Sequence, residues 1–166
     1  MTPVRIVPWG TGDLPLLERL LGDPAMMVHL GGPERPEKIA ERQKRYELPD
    51  SKQFKIVADG EGVGWVGYWD REWRDQEVYE IGWFVVPAFQ GRGIAGAATA
   101  QALAIARAER QRRFVHAYPA VDNAPSNAIC RKLGFTLLEE HDFEWPPGTG
   151  RMLRCNDWRF DLFADD

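Results

Sequence analysis

The chain predicts one α/β (α+β) domain, a mixed and mostly antiparallel central sheet flanked by helices. Three observations predict it. Its 166 residues suit a single domain that buries most of its chain surface without disulfide or metal support. Apolar spacing is helical before residue 50 and has a period of two from Lys52 onward, with the runs separated by short hairpin-like turns. An apolar run over residues 78–86 then passes through a glycine-bearing turn straight into an alanine-rich helical stretch.

Taken in order, residues 4–7 read as a short first strand. Leu14, Leu17, Leu20 and Leu21 fall at helical spacing, with Asp13 placed to cap a helix over residues 14–21. Residues 22–34 mix Pro, Gly and Met and read as a loop after a short helical turn. Residues 35–48 are charged, with Ile39, Tyr46 and Leu48 as sparse apolar positions, the pattern of an exposed second helix. Residues 54–58 form a strand, residues 59–62 a hairpin turn and residues 63–73 the returning strand. A polar bend at Arg74, Asp75 and Gln76 leads into the strand over residues 78–86, and residues 91–112 make the long helix. Residues 114–118 are a strand closed by Pro119, and residues 126–133 a helix stopped by Gly134. Residues 135–144 and 152–162 close the chain as two strands around a Pro146-Pro147-Gly148 turn.

Composition excludes several classes. A net charge of −4 argues against non-specific nucleic-acid or anionic-membrane binding, which wants a basic surplus. Cys130 and Cys155 make no spaced framework, so a reducing, cytoplasmic setting is expected. The first ten residues lack the apolar core of a signal peptide, and no run approaches a membrane span. No His/Cys/Asp spacing suggests a metal.

The most informative stretch is the glycine turn. Gly91, Gly93 and Gly96 put bare backbone N–H groups at a helix start, where the first-turn amides have no intrahelical partner and the helix dipole attracts an anion. Residues 91–96 match G-x-G-x-x-G, but four residues (Pro87, Ala88, Phe89 and Gln90) separate the strand from the first glycine, and the next strand ends in Pro119 rather than an acid for a ribose. A nucleotide P-loop fails because no Gly-Lys-Ser/Thr follows. A glycine-rich connection that binds nothing is the plain alternative.

Gln90-Gly91-Arg92-Gly93-Ile94-Ala95, after Val85-Val86-Pro87, resembles the acetyl-CoA-binding motif of the GNAT-type N-acetyltransferases. A second segment, Asn123-Ala124-Pro125-Ser126-Asn127 followed by Lys132-Leu133-Gly134-Phe135, resembles that family's N-x-x-S…K-x-G-F signature. The resemblance covers residues 52–138, leaving residues 1–50 as substrate-side helices and residues 139–166 as C-terminal strands of one domain. It implies acetyl-CoA as co-substrate, with pyrophosphate on residues 90–96, from Gln90 through Gly91, Arg92, Gly93, Ile94 and Ala95 to Gly96. It further implies a pantetheine arm along Trp83, Phe84 and Val85, with Asn123 and Ser126 beside it. A Val85 N–H would polarise the thioester carbonyl.

An ammonium must lose a proton before it attacks, and some branches of the family use a strand glutamate near Glu80 as base. The bland alternative is a rim carboxylate paired with Arg71 or Lys55. Tyr118 stands where another branch keeps a glutamate. The resemblance implies a tyrosine as general acid where this chain has Cys130, which either donates a proton or packs into the core. In the latter case Ser126, Tyr118 or water protonates the thiolate.

His29 lies near the expected acceptor side, or is a hydrogen-bonded surface group. His116 reads as structural and His141 as solvent-facing. Trp65, Trp69 and Trp73 share one strand face with Tyr68 opposite. Trp65 reads as packing of the sheet face on a helix, while Trp69 and Trp73 stand between that packing and an aromatic wall for an acceptor amine or a dimer contact. Two functions follow: an N-acetyltransferase acting on a small-molecule or peptide amine, with a homodimer compatible, or a non-catalytic module that binds CoA or acyl-CoA.

Overall fold

The computed structural model describes residues 2–164. The expected elements form in the expected order: β1 (Val4–Pro8), α1 (Leu14–Leu21), α2 (Pro36–Tyr46), β2 (Gln53–Ala58), β3 (Glu61–Trp73), β4 (Gln76–Val85), α3 (Ile94–Glu109), β5 (Phe114–Ala117), α4 (Ala124–Leu133), β6 (Thr136–Glu144) and β7 (Met152–Asp161). Single 3₁₀ turns lie at Thr11–Asp13, Val28–Leu30 and Pro87–Phe89. The seven strands make one sheet in the order β1-β2-β3-β4-β5-β7-β6. Neighbours are antiparallel except β4 and β5, which α3 connects in parallel.

Each sheet face is covered by one pair of helices. Tyr68 and Ile81 face α3, and the Tyr68 hydroxyl donates to Glu109 near that helix's end. On the opposite face Tyr46 of α2 stacks on Trp65 with ring centroids 5.8 Å apart, and Trp9 meets Tyr46 edge-on at 5.9 Å. Gln43 holds this layer together, accepting the Trp9 indole N–H at 2.7 Å and donating to the Gly10 carbonyl at 2.9 Å. Trp65 is buried and donates to Gln53 at 2.8 Å, as a packing residue should.

Several local expectations are corrected. Asp13 stands at the N-cap position of α1 as expected, but its side chain makes no capping bond to the helix. Its carboxylate accepts the Gly10 N–H at 2.8 Å and pairs with Lys55 at 2.9 Å, closing the preceding turn instead. Helix α2 is not wholly exposed, because Ile39, Gln43 and Tyr46 form a buried stripe that the charged composition hid. The β2–β3 hairpin turns on Asp59 and Gly60 alone, both at positive φ, so Glu61 and Gly62 already belong to β3. His141 is half-buried against Trp73, edge-on at 4.9 Å, rather than facing solvent.

Candidate active site

The site begins where two strands part. β4 pairs with β5 only at Tyr79↔Val115 and Glu80↔His116, whereas it stays in register with β3 as far as Val85, opposite Gly64. The Val86 N–H donates to the Val63 carbonyl at 2.8 Å. Backbone groups alternate along an antiparallel ladder, so the N–H and C=O of Val85 and Trp83 turn away from β3 and into the gap. Phe84, between them, turns its backbone to β3 and stacks its ring on Trp65 at 5.7 Å. The Val85 carbonyl accepts the Gln90 side-chain amide at 2.9 Å.

Beyond β4 the chain reaches α3 through the turn Pro87–Phe89. Gly91 and Gly93 sit at φ +77° and +75°, where a β-carbon is strained. That conformation at Gly93 delays the helix to Ile94, later than the residue 91 start expected from sequence. Among the described residues, no backbone or side-chain acceptor takes the N–H groups of residues 91–96. Nothing lies within 4 Å of a β-carbon placed on Gly91, Gly93 or Gly96, so the glycines face open space. Unsatisfied amides at the positive end of a 16-residue helix, with no acid in its first turn, make an anion cradle. The long side chains here are committed elsewhere. Arg92 pairs with Asp59 at 2.8 Å, donates to Thr2 and lies over Phe89 at 5.0 Å. Gln90 also approaches the Met26 sulfur at 3.4 Å.

Glu80 stands beside the gap on the α2 side of the sheet. Its Oε1 accepts Arg71 Nη1 at 2.5 Å, the partner foreseen as one of two. Burial raises the Glu80 pKa, opposed by the charge and hydrogen bond of Arg71 and by His116, and the outcome is a carboxyl above its ordinary value. The Arg71 guanidinium lies over three rings: Tyr118 at 4.8 Å, Trp73 at 5.1 Å and Phe143 at 5.3 Å. The Tyr118 hydroxyl is buried without a partner among the described residues, and burial followed by the charge of Asp157 raises its pKa. Trp69 stacks on Trp65 at 6.2 Å, and both indoles rest on Gly82, where a β-carbon would meet their rings at 3.1–3.4 Å. A glycine between Glu80 and Phe84 is therefore what lets this aromatic wall lie flat on β4.

The remaining residues border the gap or leave it. Asn123 caps α4, its Oδ1 accepting the Ser126 N–H at 3.3 Å just beyond β5. His29 reaches Asp122 at 3.1 Å, which lays the loop between α1 and α2 against the segment before α4. Arg151, just before β7, ties the same loop, donating to the Gly31 carbonyl at 3.4 Å. Cys130 belongs to the hydrophobic core at 0% exposure, and burial pushes its thiol up to about 12.

Two features escaped the sequence reading. Asp157 is buried between His116 and Trp73, and its only local signal was an acid at an inward position of the last strand. Asn127 donates to the Ala120 and Asn123 carbonyls while its Oδ1 accepts Asn156 and Trp158, so one amide pins α4 to β7.

The sequence profile of the Acetyltransferase (GNAT) domain matches residues 4–136. Among solved structures, the GNAT-family acetyltransferase from Bacillus anthracis superposes with a TM-score of 0.80 at 17% identity, covering 99% of this chain and 100% of that one. An N-acetyltransferase from Staphylococcus aureus Mu50 gives 0.78 at 18% identity, covering 96% and 99%. The spermidine N-acetyltransferase from Vibrio cholerae, in complex with CoA and spermine, gives 0.78 at 16% identity, covering 96% and 95%. No curated protein matches the chain in sequence. At these identities the structures establish a common fold, while the domain match over most of the chain establishes kinship: the chain belongs to the GNAT acetyltransferase family.

Proposed function

We propose that the chain is an acetyl-CoA-dependent N-acetyltransferase that moves the acetyl group to a primary amine by direct transfer within a ternary complex. The observation that carries this reading is the row of unsatisfied amides at residues 91–96, opening beside the unpaired edge of β4. Those amides hold the pyrophosphate. The backbone of Trp83 and Val85 pairs with the pantetheine arm as a strand would, bordered by Asn123 and Ser126. The Val85 N–H supports the oxyanion as the amine nitrogen bonds to the carbonyl carbon.

Glu80 takes the ammonium proton. The carbon–sulfur bond then breaks, and the electron pair leaves on sulfur. Cys130 is buried away from this step, and Tyr118 holds its proton too tightly to give it readily, so water at the open gap is the simplest source of the thiol proton. Trp69 and His29 flank the acceptor side. The Vibrio cholerae relative holds spermine, which makes a polyamine the first acceptor to try.

The test is thiol release from acetyl-CoA with spermine, an aminoglycoside, a peptide bearing a free α-amine and an amino acid, with products weighed by mass spectrometry. Sustained release with any of them is the expected result. Acetyl-CoA binding without release by any amine would instead favour a non-catalytic CoA-binding module, the reading that burial of Cys130 recommends.

A further inference from the structure

On the wall of the site lies a buried pair that the chemistry above does not use. His116 Nδ1 is 2.6 Å from Asp157 Oδ1, and the two side chains are 3% and 1% exposed. The other Asp157 oxygen accepts the Trp73 indole N–H at 3.0 Å. Contact at 2.6 Å needs a proton between the atoms, and a carboxylate already accepting an indole N–H is the natural acceptor. The neutral imidazole therefore carries its hydrogen on Nδ1 and presents Nε2 as a lone pair. His116 is the in-register neighbour of Glu80, at the last rung before β4 and β5 part.

The charged and titratable groups around His116 are few. Asp157 and Arg159 face it from β7, Glu80 from β4 and Arg71 from β3 through Glu80. Tyr118 stacks on it at 5.8 Å from β5, and His141 of β6 reaches the cluster through Trp73. Burial lifts the Glu80 carboxyl above its ordinary value against the pull of Arg71, so it can take a proton, while its oxygen clamped to the guanidinium is not free to hold one. It is suited to pass a proton rather than keep one. His116, with its Nδ1–H held by Asp157, has Nε2 as its free acceptor beside Glu80.

We infer that Asp157 and His116 form a proton-relay dyad for acetyl transfer, in which His116 Nε2 receives the proton that Glu80 takes from the acceptor ammonium. This rests on the proposed function. The acceptor N–H bond breaks and Glu80 passes that proton to Nε2, leaving imidazolium against the Asp157 carboxylate. The free amine attacks, the C–N bond forms and the C–S bond breaks. The stored proton returns through Glu80 and water to the thiolate, while the second nitrogen proton is released to solvent. His116 acts through Glu80 and is a positioning residue, as are Asp157 and Trp73.

Asp157→Asn makes the sharpest variant. Trp73 still needs an acceptor, so the amide oxygen turns to the indole and the amide N–H₂ to His116 Nδ1, forcing the imidazole hydrogen onto Nε2. ¹⁵N NMR of His116 should show the Nδ1–H form in the wild type and the Nε2–H form in Asp157→Asn. With the panel amine turned over fastest, His116→Gln and Asp157→Asn should each lower kcat at neutral pH by about 10²-fold, the usual scale of acid–base catalysis. The acidic limb of the pH profile should move to lower pH, because the Glu80 carboxyl is then the group whose protonation stops the reaction, with the dissociation constant for acetyl-CoA unchanged. Unaltered pH profiles in both variants would overturn the relay, as would an Nε2–H form in the wild type, which can be read even if neither variant folds. If no panel amine releases thiol, the proposed function fails and the relay with it, whereas a lost pH shift alongside intact turnover condemns the relay alone.

Discussion

Glu80 and Cys130 show how position in the fold decides what a side chain can do. Glu80 is half-buried beside a gap between strands, and burial raises its carboxyl against the pull of the Arg71 guanidinium, so it can exchange a proton. Glu80→Gln keeps the shape, and turnover should fall about 10²-fold with acetyl-CoA affinity unchanged, measured by thiol release and calorimetry. An unchanged pH profile in that variant would remove Glu80 from the chemistry. Cys130 has no such outlet. Its thiol ionises near 9.0 when unfolded but is pushed up to about 12 in the fold. The folded state thus keeps a proton that the unfolded state has lost, and the stability this thiol contributes below about pH 9 drains away as pH rises toward 12. Urea midpoints should fall over that alkaline window, and Cys130→Ala should flatten the fall while leaving turnover intact. An equal slope in the variant would assign the loss to another group.

At the scale of elements, α4 depends on one amide. Asn127→Ala strips partners from Asn156 and Trp158 and from the Ala120 and Asn123 carbonyls, and should cost about 3 kcal/mol in urea unfolding. A cost below about 1 kcal/mol would mean that water replaces it freely. The elements themselves were legible because their signals are local: Leu14, Leu17, Leu20 and Leu21 mark α1, the Asp59–Gly60 turn marks the β2–β3 hairpin, and Gly134 stops α4 at φ +93°. Their ends were less so. Gly93 looked helical by position and is left-handed by conformation, and Asp13 has the composition of a cap but pairs with Lys55 instead. The cradle at residues 91–96 could be read because one short stretch builds it. Asp157 could not, since its meaning comes from His116 and Trp73, 41 and 84 residues away in the chain.

For the whole molecule, the sheet order places β7 between β5 and β6, so the last strand delivers Asp157 to a gap that β4 and α3 open. The aromatic wall and Glu80 lie along β4 from its middle onward and the cradle follows its end, and the splay from β5 opens both to one gap. No helix among the described residues is long and apolar enough to cross a membrane. On the function proposed, the backbone of residues 91–96 holds acetyl-CoA. Isothermal titration of acetyl-CoA into the wild type and Gly93→Glu tests it most directly. Glutamate at φ +75° costs about 1–2 kcal/mol of backbone strain, which a folded domain survives, but it sets a side chain and a negative charge in the cradle. Wild-type binding with a dissociation constant below about 1 mM and no detectable heat from a folded Gly93→Glu are expected. Absence of wild-type binding at that concentration, or undiminished affinity in the variant, would contradict this binding mode.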